Sequence, residues 1–125
     1  MLPRRALAAA LVSLALLAAA PRPAEAHALV LESSPRADEV LPSSPGRILL
    51  RFNSRLEKGL SMVTLTGPTG RPIPLPVAAA DPSPNHLVVP VPPLEPGRYV
   101  VRWKVLSADG HVTERAFRFT VAPAH

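Results

Sequence analysis

Proline is the residue that most restricts what this chain can fold into: 17 occur among 125 residues, against 6 glycines. Proline has no backbone N–H and a fixed φ. It breaks helix interiors, and within sheets it is confined to edges, strand ends and bulges. Long helices are therefore excluded along most of the chain, and the apolar stretches between prolines read as short strands.

The strands announce themselves by alternation. After residue 27, Leu29 and Leu31 share one face and Ala28, Val30 and Glu32 the other, until Ser33-Ser34-Pro35 interrupts the run. A polar loop with Pro42 and Pro45 leads to Arg47–Phe52, where Ile48, Leu50 and Phe52 oppose Arg47 and Arg51. Met62–Thr66 follows and is closed by Gly67-Pro68-Thr69-Gly70, a strong turn signal. Residues 71–85 carry Pro72, Pro74, Pro76, Pro82 and Pro84, which suits an extended edge or a loop. His86–Pro90 is a short strand.

The clearest strand is Arg98–Leu106. It sets Tyr99, Val101, Trp103 and Val105 against Arg98, Arg102 and Lys104, and its aromatic face belongs to the core. The last, Arg115–Val121, sets Phe117, Phe119 and Val121 against Arg115 and Arg118. Short alternating strands separated by turn signals predict one small antiparallel β-sandwich or barrel. No internal repeat or linker divides it.

The first 26 residues have a different character. Arg4 and Arg5 precede an apolar run from Ala6 to Ala20, and Pro21 and Pro23 then lead to Ala24-Glu25-Ala26. Small residues at the first and third of these positions form a signal-peptidase site, so residues 1–26 read as a secretory signal peptide and 27–125 as the mature domain. The apolar run is shorter than the roughly 20 residues that span a bilayer, which favours cleavage over an uncut anchor. The absence of cysteine excludes disulfides, thiolate metal sites and a cysteine nucleophile. An exported domain of this kind relies on its apolar core, and a periplasmic setting fits. The formal net charge of +5 falls once the leader is gone, and the remaining cations are scattered along strands. That distribution describes a solvated surface and does not point to nucleic acid.

Cleavage after Ala26 makes His27 the terminal residue. Its α-amine and imidazole ordinarily titrate near about 7.7–8.0 and 6.5, so both nitrogens become available to a metal near neutral pH. The second chemical feature is Ser107-Ala108-Asp109-Gly110-His111 between the two best strands. Asp-Gly is a preferred hairpin turn, and by itself that accounts for the loop. Alternatively, Gly110 lets the backbone bend so that Asp109 and His111 converge. With His27 nearby the set is one amine nitrogen, two imidazole nitrogens and a carboxylate oxygen, a donor set that suits Cu(II). His86 and His125 read as exposed loop or tail residues. No G-x-S-x-G elbow accompanies the serines, so a hydrolase is discounted.

His27-Ala28, Ser33-Ser34-Pro35, Arg51-Phe52-Asn53, Gly97-Arg98-Tyr99, Trp103 and the Asp109-Gly110-His111 loop occur in that order. Together they resemble the CopC family of periplasmic copper-binding proteins, over essentially all of residues 27–125. The resemblance implies a single immunoglobulin-like, Greek-key antiparallel β-sandwich. It implies one Cu(II) per chain, with the amine and imidazole of His27 forming a "histidine brace" and Asp109 and His111 completing the metal site. It also implies a monomeric carrier in copper homeostasis and resistance, not an enzyme, with a CopD-like inner-membrane copper transporter as partner.

This chain departs from the family pattern at several points. Members with an additional Cu(I) site carry a methionine-rich middle segment, whereas here that region is Pro-rich and Met62 is the one methionine after the leader. Cu(I) prefers thioether ligands, so a Cu(II) site alone is expected. Phe52-Asn53-Ser54 stands where some members have Phe-Ser-Glu, Leu29 where many have a second terminal His, and Glu114-Arg115-Ala116 where a small, Gly-containing segment is common. Two other classes compete. One is an oxidative copper enzyme, since lytic polysaccharide monooxygenases also use a histidine brace. The other is an immunoglobulin-like structural module with incidental histidines. Copper titration separates the module from the other two, and peroxide production with a reductant separates carrier from enzyme.

Overall fold

A computed structural model describes residues 28–78 and 82–124, which form two facing β-sheets. The signal-peptide reading of residues 1–26, His27 and His125 lie outside the described residues. The strands are β1 (Val30–Ser34), β2 (Val40–Leu41), β3 (Arg47–Phe52), β4 (Met62–Thr66), β5 (Pro72–Leu75), β6 (His86–Pro90), β7 (Gly97–Leu106) and β8 (Val112–Val121). One 3-10 turn, Lys58–Leu60, precedes β4.

One sheet has the order β1-β3-β6 and the other β2-β8-β7-β4-β5. The chain passes between sheets at β1–β2, β2–β3, β3–β4, β5–β6 and β6–β7, while β4–β5 and β7–β8 are hairpins within one sheet. The order β1-β3-β6 opposite β8-β7-β4, with β5 added beyond β4, is the immunoglobulin arrangement. Tyr99, at the start of β7, donates its hydroxyl hydrogen bond to the Glu95 carbonyl, which makes a tyrosine corner of the kind those folds carry.

The core follows from the alternation. Ile48, Leu50 and Phe52 of β3 and Leu87 and Val89 of β6 face Val63 and Leu65 of β4, Val101, Trp103 and Val105 of β7 and Phe119 of β8, and all are buried. The Phe52 ring stands edge-on to Trp103 with centroids 5.0 Å apart, and Tyr99 stacks on Phe119 at 5.5 Å. Both are favourable aromatic geometries. β5 is an edge strand, as its prolines require.

Three details differ from the sequence reading. The polar loop after β1 contains β2, two residues paired parallel to Thr120–Val121, so the sandwich is not wholly antiparallel. β8 begins at Val112 and not at Arg115. Arg115, grouped with Arg118 by the sequence reading, lies opposite Trp103 on the Phe117 side of the strand and is nevertheless exposed. β2 covers β8 only at residues 120–121, which leaves the flank at Arg115 open. At the entry to β1, Ala28 (1 % exposed), just before the strand, and Val30 point inward, while Leu29 and Leu31 are 47 % and 55 % exposed.

Candidate metal centre

One end of the sandwich gathers the start of β1, the end of β3, the end of β7 and the start of β8. The β7–β8 hairpin is closed there by the Leu106↔Val112 pair, and residues 107–111 form its loop. Ser107 N–H donates to the His111 carbonyl at 2.9 Å, and Gly110 N–H donates to the Ser107 carbonyl at 2.9 Å. Gly110 has φ 93°, a left-handed conformation that glycine adopts without steric cost. Within this loop the Ser107–His111 bond leaves a three-residue turn, 108–110, with its glycine at the end, not a two-residue Asp-Gly turn. A strap from Arg55 to Glu57 runs alongside. Ala108 N–H donates to the Arg55 carbonyl, Glu57 N–H to the Leu106 carbonyl, and Leu56 bridges to Ser107.

On this braced loop Asp109 and His111 meet. Asp109 Oδ1 accepts from His111 backbone N–H at 3.2 Å and lies 3.2 Å from His111 Nδ1. Both side chains stay about half exposed, at 54 % and 55 %. With Nδ1–H given to the carboxylate, His111 keeps the Nε2 lone pair and Asp109 keeps Oδ2. A carboxylate partner on one imidazole nitrogen is the usual way the other is oriented toward a metal. Among the described residues no group of three or more His, Cys, Asp and Glu side chains assembles. His86, opposite Arg51 in the smaller sheet, does not join the pair.

The His111 side-chain hydrogen bond, followed by the backbone one, holds the Asp109 carboxyl below its ordinary value. Its small stabilising contribution is therefore present above the usual carboxylate range and is lost as pH falls through the lowered value. Carboxyl-resolved NMR titration of the metal-free protein is expected to place Asp109 below an ordinary aspartate, and His111→Ala to move it back up. An unmoved Asp109 in that variant would remove His111 as the cause.

Two hydrogen bonds tie the beginning of β1 to this end of the sandwich. The buried Ala28 N–H donates to Thr113 Oγ1 at 3.3 Å, and Leu29 N–H donates to Asn53 Oδ1 at 2.9 Å. Asn53 N–H returns a bond to the Leu29 carbonyl at 3.0 Å. Thr113 lies two residues beyond His111 and is 5 % exposed. Sequence reading did not single out Thr113 or this role of Asn53. The available signal was a lone Thr where alternation calls for an apolar inward residue. Two hydroxyls at this end, Ser54 Oγ and Ser107 Oγ, are buried without a hydrogen-bond partner.

The CopC domain model matches residues 30–122. The chain belongs to the CopC family. It is 36 % identical over 98 residues to protein YobA of Escherichia coli (strain K12), an alignment covering 77 % of this chain and 79 % of YobA. The crystal structure of CopC from Methylosinus trichosporium OB3b superposes with TM-score 0.71 at 33 % identity, covering 79 % of this chain and 97 % of that one. PcoC, a methionine-rich copper resistance protein from Escherichia coli, superposes with TM-score 0.64 at 32 % identity, covering 77 % and 99 %. These CopC structures share the two-sheet sandwich described above.

Proposed function

We propose that the chain is exported, cut between Ala26 and His27, and acts in the periplasm as a monomeric carrier of one Cu(II). In this reading the ligands are the α-amine and imidazole of His27, the imidazole of His111 and the carboxylate of Asp109. The observation that carries it is the tie between Ala28 and Thr113, which sets the start of the mature chain beside the strand that leaves the Asp109–His111 loop. Nitrogen and oxygen donors suit Cu(II), and copper resistance is the stated role of PcoC.

Copper is cargo here. His111 and Asp109 stand on a loop whose backbone is held by the Arg55–Glu57 strap, so the loop need not be ordered when the ion arrives; the two side chains have only to exchange their mutual contact for the ion. An anionic oxygen donor favours the divalent ion, which argues for holding Cu(II) and against cycling it as an oxidative enzyme would. Met62, the sole methionine after the leader, is 58 % exposed on the outer face of the larger sheet opposite Lys104. A lone exposed thioether offers no soft-ligand cluster, so no tight Cu(I) site is expected. A CopD-like inner-membrane transporter is the proposed recipient.

Two measurements on exported protein test the reading together. Intact mass is expected to show loss of the first 26 residues, and Cu(II) titration a single tight equivalent. A different terminus, or tight Cu(I) binding like that of a thioether-rich protein, would contradict it.

A further inference from the structure

We infer that Asn53 and Thr113 are positioning residues that set the start of the mature chain against the Asp109–His111 loop. This inference rests on the copper reading above. Deformylated or cleaved termini are ordinarily poorly ordered unless tied down. A ligand set that includes the terminal residue is costly to assemble if that residue must first be ordered, because fixing backbone loses entropy for each residue held.

The chain immediately after His27 is held on two sides. Thr113 Oγ1 in β8 takes the Ala28 N–H, across 85 positions of sequence. Asn53, at the end of β3, takes the Leu29 N–H on Oδ1 and gives its own N–H to the Leu29 carbonyl, across 24 positions. Both sheets therefore hold consecutive residues of one segment. Ala28 is 1 % exposed and Thr113 5 % exposed, so their hydrogen bond has no water to replace it freely. Thr113 is also the inward residue next to Val112, where β8 leaves the loop that bears His111. A hydroxyl at that position has no packing advantage over valine; its use is as the acceptor for Ala28. Asn53 in turn follows Phe52, whose buried ring fixes the end of β3 in the core.

Isosteric variants test the inference in the processed protein. Thr113→Val keeps the shape and removes the acceptor, and Thr113→Ser keeps the acceptor. Asn53→Ala removes the side-chain bond, and Asn53→Asp retains an oxygen for Leu29. In the metal-free protein, Thr113→Val is expected to speed hydrogen exchange at Ala28 and Asn53→Ala at Leu29, with Ser and Asp close to the parent. Each disabling variant is expected to weaken Cu(II) binding by about tenfold, the size of loss seen when an outer-shell support is removed, and to broaden the EPR signal. Unchanged exchange at Ala28 and Leu29, or faster exchange with parental Cu(II) affinity and EPR spectrum, would overturn the inference. A parent that binds no Cu(II) would overturn the copper reading instead, and exchange alone would then decide whether the two residues hold the segment.

Discussion

His111→Ala and Asp109→Ala are each expected to weaken Cu(II) binding by the processed protein about a hundredfold or more. Outer-shell partners alone are commonly worth about 10–100-fold in metal affinity, and these two are proposed as direct donors. Each substitution also removes the side-chain contact between the two, since Asp109 Oδ1 lies 3.2 Å from His111 Nδ1. The loop backbone is closed by its own hydrogen bonds and by the Arg55–Glu57 strap, so the fold is expected to persist. Circular dichroism and thermal unfolding close to the parent, with binding lost, is the expected pair of results. Parental affinity in either variant would remove that residue from the site. Binding should also weaken as pH falls, because protons compete for the amine and imidazole nitrogens.

The largest effect on stability is expected at Phe52. Its side chain is fully buried and lies edge-on to Trp103 across the two sheets. Phe52→Ala opens a cavity against the Trp103 ring that cannot close without moving β3, and such changes cost about 3–5 kcal/mol. Domains of this size are stable by only about 5–15 kcal/mol. Urea unfolding followed by far-UV circular dichroism should show a large fall in midpoint with little change in slope. A loss under about 1 kcal/mol would mean that the two sheets do not pack through this contact.

Where alternation was bounded by proline or a turn, strands were legible from sequence to the residue: β3, β4 and β6 have the limits their patterns predict. β2 was not, because two residues beside Pro42 carry no periodicity and their partner, Thr120–Val121, is 80 positions away. The start of β8 was hidden by Thr113, a polar residue at an inward position. The same hydroxyl that obscures the pattern accepts the Ala28 hydrogen bond. Asp109 and His111 were visible as a carboxylate and imidazole flanking a glycine, and the structure brings them together. Their mutual hydrogen bond and the support from Asn53 and Thr113 depend on contacts made only in the folded sandwich, which spacing does not encode.

The central claim is that the amine of His27 holds copper together with Asp109 and His111. Adding one residue before His27 in the otherwise processed protein leaves every side chain in place and converts that amine to an amide. Cu(II) affinity and the EPR spectrum of the extended and unextended proteins should be measured side by side. Much weaker binding and an altered EPR spectrum in the extended protein are the predicted result. Equal affinity with an unchanged spectrum would show that the amine is not a ligand and would contradict the brace.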